Sequence, residues 1–91
     1  MRKTVTEIAI EVLAERGYDR IWWGDIDMLD EIAVRAAHTG LASLHPLIRH
    51  TRTLDTLERS GRFSKGYITV STRTGGGHRT RCLTLIHEGR A

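Results

Sequence analysis

The residues best suited to chemistry in this chain are cationic, and they gather around three consecutive glycines. The run Arg73-Thr-Gly-Gly-Gly-His-Arg-Thr-Arg81 sets Arg73, Arg79 and Arg81 beside Gly75, Gly76 and Gly77, with His78 next to the tip and Lys65 at the base. Three glycines permit any turn geometry and keep such a tip thin. A thin basic tip suits the minor groove of a nucleic-acid duplex, whose strong negative potential attracts arginine. The same glycines could cradle a phosphate, but the lysine and following helix of a P-loop are missing. A second set, His45, Arg49, Arg52, Thr53 and Thr56, is spaced to share the outward side of one helix, with Arg59 near its end. Arginine reads guanine bidentately, and threonine or histidine meets phosphates or base edges. Arg49 and Arg52 are the first choices for base contact. Asp55 and Glu58 on the same helix would repel phosphate if they faced it.

Metal and catalytic chemistry find less support. His78, Cys82 and His87 are ligand types, but no Cys-x-x-Cys or paired histidine motif supplies a closed four-ligand site. On a strand, His78 and Cys82 would share a face yet stand too far apart to hold one ion. No nucleophile, base and orienting group fall into a recognisable order. The reading is a chain that is not an enzyme and needs neither metal nor cofactor.

The elements that must carry these residues follow from periodicity. Thr4-Val-Thr-Glu7 is a capping box, and Val5, Ile8, Ala9, Val12 and Leu13 repeat as a buried stripe until Gly17. Glu7, Glu11 and Glu15 form an acidic row expected to face solvent. Tyr18 to Ile26 reads as extended, so Trp22 and Trp23 should point to opposite faces. One ring would cover the core, and the other is either a lid on the sheet or an anchor for a partner or a second copy of the chain. A second helix, capped by Asp25 or Asp27, buries Leu29, Ile32, Ala33 and Ala36 and ends at Gly40. A third helix, with Pro46 in its first turn, is expected to turn Leu44, Leu47, Ile48, Thr51, Leu54 and Leu57 inward. Tyr67 to Thr72 and Arg81 to Ile86 alternate as the arms of a hairpin.

Composition sets bounds on what these elements can build. Ninety-one residues, 40% hydrophobic with one proline, make one small folded domain rather than a disordered chain. The single cysteine, Cys82, cannot form an internal disulfide, which favours a reducing compartment. Glu11 interrupts the most apolar window, so no membrane span is expected, and the acidic first helix does not look like a cleavable signal. The net charge of +3 is unevenly spread. Residues 1–60 hold 8 Lys/Arg against 10 Asp/Glu, a net of −2, whereas residues 61–91 hold 6 against 1, a net of +5. A polyanion would be met at the hairpin; a solvated, edge-protecting hairpin is the plainer alternative.

The segment TLDTLERSGRF, Thr53 to Phe63, ends a helix at a glycine and runs straight into the hairpin. With the order helix, helix, short glycine-containing turn, helix, hairpin, it resembles the winged helix-turn-helix DNA-binding family over about residues 4–88. The resemblance implies an α+β fold, a single domain over 1–91 with helices near 4–16, 27–39 and 44–60 and a C-terminal β-hairpin wing near 63–87. It also implies a short strand at the tryptophans pairing with the wing. Its implied function is sequence-specific binding of double-stranded DNA by a small transcriptional regulator or DNA-architecture protein. The third helix would enter the major groove and the basic wing the minor groove. The implied setting is cytoplasmic, or nucleoid-associated in a bacterium or phage, with a homodimer left open. Pro46, His50 and the length of the turn depart from the family's tightest pattern. The alternative is a protein-interaction module presenting Trp22 or Trp23 and the acidic first helix.

Overall fold

A computed structural model describes residues 3–71 and 75–86. Arg73 and His87, both within the expected wing, lie outside the described residues. The chain is α+β: three α-helices cover one face of a three-stranded antiparallel sheet. The elements are α1 (Val5–Arg16), β1 (Arg20–Trp22), α2 (Ile26–Arg35), α3 (Pro46–Arg59), β2 (Phe63–Ser71) and β3 (Gly77–Leu85).

Helix α1 forms where its local signals place it. The Glu7 amide donates to Thr4 Oγ1 at 3.1 Å while the Thr4 amide donates to Glu7 Oε1 at 2.8 Å, closing the capping box. Gly17, at φ 74°, adopts the left-handed turn that ends the helix. Ile8, Ala9, Val12 and Leu13 are buried as the stripe requires. Helix α2 is shorter than the expected 27–39. It stops at Arg35 and hands over to a single tight turn, Ala37–Thr39, that ends at Gly40 with φ 84°. A second such turn, Leu41–Ser43, leads into α3, so α3 begins at Pro46 rather than at residue 44. His45 caps it, its Nδ1 accepting from the Leu47 amide at 3.2 Å.

The rotation of α3 differs from the expectation. Leu54 and Leu57 are buried and Leu44 is half-buried, but Leu47 is 72% and Ile48 52% exposed, and Thr51 faces solvent. Thr53, expected outside, is fully buried, its hydroxyl donating to the Arg49 carbonyl at 2.8 Å. At about 100° per residue, Thr53, Leu54 and Leu57 centre the inner face well to one side of the Leu47–Ile48–Thr51 set. The core closes over the C-terminal half of α3, and the first turn projects past it.

The sheet order is β1-β3-β2, so the short strand after α1 pairs with the last strand, as the resemblance implied. Arg20, Ile21 and Trp22 lie opposite Thr84, Leu83 and Cys82. Phe63 and Leu83 are buried on the helix-facing side, and Leu85 is half-buried there. Both β2 and β3 run on past the core, their ladder reaching Ser71 opposite Gly77. From Tyr67 to Ser71 the arm extends roughly 13 Å beyond the last core-facing pairs.

Candidate nucleic-acid interface

Ion pairing sorts the cations of this chain into two groups. In the N-terminal part, Lys3 pairs with Glu11, Arg16 with Glu31, and Arg35 with both Glu15 and Glu31. The Arg35–Glu15 contact is bidentate at 2.7 and 2.6 Å and joins α2 to α1. It holds the Glu15 carboxyl below its ordinary value, while the carboxylates raise Arg35. Glu7 is held low by its capping hydrogen bonds from Thr4. All three carboxylates of the acidic row are therefore engaged within the scaffold.

Among the described residues, the arginines with no carboxylate in ion-pair reach are Arg52, Arg59, Arg62, Arg79 and Arg81. All five lie on α3 or after it. Lys65, at the base of the hairpin, reaches Glu58 at 3.5 Å.

The exposed side of α3 is one shallow surface formed by Leu47, Ile48, Thr51, Arg52, Asp55 and Arg59. Arg52 stands on it as expected. Arg49 does not. Its side chain is 17% exposed, Nη2 donates to Asp30 Oδ1 at 2.9 Å, and Nη1 donates to the carbonyls of Leu44 at 3.1 Å and Ala42 at 3.4 Å. A guanidinium spent in this way cannot reach a base edge, so the expected role of Arg49 in base reading is corrected to that of a tie between α3, α2 and the turn joining them. His50 Nε2 lies 2.8 Å from the same Asp30 oxygen, which with Arg49 holds that carboxyl below its ordinary value. Thr53 is buried and is likewise removed from the outward set. Thr56 is half-buried and donates to the Arg52 carbonyl at 2.9 Å.

On the hairpin, opposite residues of an antiparallel pair share a face. Tyr67 lies opposite Arg81, and Thr69 opposite Arg79, all on the side that continues the core. Arg79 stacks over the Tyr67 ring at 4.6 Å from its centroid, and Arg81 over the Trp23 ring at 5.8 Å. Trp23, Tyr67, Arg79, Thr80 and Arg81 line an open trough of about 520 Å³. A guanidinium stacked on a ring keeps its N–H edges free and loses less entropy on binding an anion. The trough can thus present two pre-positioned cations to phosphate.

The tryptophans face opposite ways, and neither is fully buried. Trp23 packs against the core, and its carbonyl accepts from Thr80 Oγ1 at 3.3 Å. Trp22 lies on the other face of the sheet, opposite Cys82, which is buried outside the main core cluster. Gly75 needs its φ of 90°, and a Cβ at Gly77 would meet Thr69 Cγ2 at 2.9 Å, so a side chain at either position would be strained. His78 is exposed opposite Val70, on the face away from the trough.

Sequence reasoning missed Leu47, Ile48 and Thr51 as surface residues and Tyr67 as a stacking partner. The signal for Tyr67 was present, because Lys65, Tyr67 and Thr69 share one side of a strand. Among the described residues no three of His, Cys, Asp and Glu group to hold a metal ion, and no helix is long and apolar enough to cross a membrane. The chain matches no known family, no curated protein and no solved structure.

Proposed function

We propose that this chain is a winged helix-turn-helix domain that binds double-stranded DNA. Helix α3 would lie in the major groove, and the β2–β3 hairpin, as its wing, would follow the neighbouring minor groove. The observation that carries this reading is the segregation of charge. The cations of α1 and α2 are neutralised by carboxylates, while Arg52, Arg59, Arg62, Arg79 and Arg81 have none in reach among the described residues and all lie on α3 or beyond it. Unpaired arginines on a projecting hairpin and on the adjoining helix suit a polyanion that runs across both. The helix order and the β1-β3-β2 sheet agree with the winged-helix arrangement. The role would be that of a small transcriptional regulator or DNA-architecture protein, working in the cytoplasm, and on the nucleoid where the source is a bacterium or phage.

The alternative, a protein-interaction module, rests on Trp22 or Trp23 and on the acidic first helix. The acidic row it would present is occupied: Glu7 in the cap, Glu11 by Lys3 and Glu15 by Arg35.

Titration of a labelled random-sequence duplex at several salt concentrations tests the reading. Binding should weaken steeply with salt, with a log–log slope of about −3 or steeper, since each neutralised phosphate contributes about −0.9. Absence of binding at the lowest salt would overturn it.

A further inference from the structure

We infer that the leading turn of α3 reads the 5-methyl group of thymine, so that the preferred duplex carries thymine next to a guanine contacted by Arg52. This rests on the duplex-binding reading above and names what its major-groove surface selects. The observation is an exposed apolar pair at the start of α3. Leu47, 72% exposed, and Ile48, 52% exposed, stand on the first two turns of the helix, outside a core that Leu54 and Leu57 complete without them. Neither side chain has a hydrogen-bonding group, and leaving both in water forfeits the burial that each could gain elsewhere. Beside them on the same surface are Thr51, Arg52 and Arg59, and Arg52 and Arg59 have no carboxylate in ion-pair reach among the described residues.

Charge complementarity selects the occupant of this surface. An apolar pair flanked by unpaired arginines, with the arginine-lined trough on the adjoining hairpin, matches an anionic partner that also offers a small apolar group. On the major-groove edge of a base pair, the thymine methyl is the one such group. Guanine there presents N7 and O6, and cytosine presents its amino group. Either would lose its water against Leu47 or Ile48 without gaining a partner, which costs affinity. The pair therefore selects for thymine and against guanine and cytosine at once. Ile48 and Arg52 are four residues apart and share a face of the helix, so the base Arg52 meets adjoins the one Ile48 meets. Arg52 is free to approach guanine O6 and N7 bidentately. Asp55 occupies the same surface and suits the amino group of cytosine or adenine rather than phosphate.

The test uses the full chain and two random duplex pools, one prepared with thymidine and one with deoxyuridine, which lacks only the methyl. Selection from the thymidine pool should enrich sites with thymine at a fixed position beside guanine. Replacing that thymine by deoxyuridine should weaken binding about 3–10-fold, the scale of one buried methyl group. Placing 5-methylcytosine at a cytosine variant of the same position should recover part of that loss. The double variant Leu47→Ala, Ile48→Ala should bind thymidine and deoxyuridine duplexes equally while keeping its salt slope and its helical circular dichroism. Equal binding of both pools by the parent, with salt dependence intact, overturns the methyl reading and leaves duplex binding standing. Failure of the parent to bind either pool overturns both.

Discussion

Arg49 and Asp30 grip each other across the angle between α3 and α2, Nη2 to Oδ1 at 2.9 Å, and this pair separates the two arginines of α3 that look alike in the sequence. Arg49 is turned inward, where it also satisfies two carbonyls of the preceding turn, while Arg52 is left on the exposed surface. Three residues along one helix divide a tethered cation from an exposed one.

Exchanging each for alanine should separate their roles. Arg49→Ala should lower stability by about 1–2 kcal/mol, because it leaves Asp30 with His50 alone and takes the donor from the carbonyls of Ala42 and Leu44. Arg52→Ala should change stability by less than about 0.5 kcal/mol yet relax discrimination at one base position by about 1–3 kcal/mol. Thermal melts and duplex titrations check both. An Arg49→Ala variant that melts like the parent would reverse the assignment.

The Asp30 carboxyl sits below its ordinary 3.8, first because His50 hydrogen-bonds to it and then because of Arg49. A depressed carboxylate contributes stability above its unfolded value, and that contribution is lost as pH falls through the folded value. Denaturant melts of the parent and of Asp30→Asn should therefore differ fully at neutral pH. The gap should close progressively below 3.8. A gap unchanged down to the acid limit would mean that charge plays no part in the contact.

The trough arginines should act on affinity rather than on folding. Arg79→Ala with Arg81→Ala should leave stability within about 0.5 kcal/mol of the parent, since both are exposed. The salt slope of duplex binding should shrink by about 2, one unit for each phosphate released. Tyr67→Ala, which removes the ring beneath Arg79, should weaken binding with little change in that slope, because the charge remains and only its positioning is lost. An unaltered slope in the double variant would place the trough away from the backbone.

The two tryptophans should give unlike variants. Trp23→Ala removes a ring packed on the core and should cost about 2–3 kcal/mol, less than for a fully buried ring. Trp22→Ala should cost less but uncover Cys82, which lies opposite it and is 4% exposed. Reaction of the native protein with a thiol reagent should accelerate in Trp22→Ala and not in a comparably destabilised core variant such as Ile32→Val. Equal acceleration in both would attribute the effect to general loosening.

What could be read from the chain alone divides by range. Helix α1 and the hairpin were legible because their signals are local: Thr4 with Glu7, Gly17, and alternating strands about a glycine tip. The inner face of α3 was misread because an apolar side chain has the same sequence signature whether it ends buried or exposed, and Leu47 and Ile48 look like Leu54. The fate of Arg49 depended on Asp30, a partner 19 residues away on another helix, and no spacing rule reaches that far. Thr53 hid inside for a related reason. Its hydroxyl bonds back to the Arg49 carbonyl, so a polar residue passes as a core one.

The pairing of β1 with β3 has a consequence for the order in which the chain can fold. Ile21, fully buried, finds its strand partner Leu83 more than sixty residues later, and β1 has no other strand neighbour among the described residues. Helices α1, α2 and α3 can form and touch while the chain is still being synthesised, but the segment carrying Trp22 and Trp23 must wait until β3 has left the ribosome. Until then two large rings and a strand edge stand uncovered. The closing step is a long-range one that pays its loop entropy late, so strand docking, rather than helix formation, should set the folding rate.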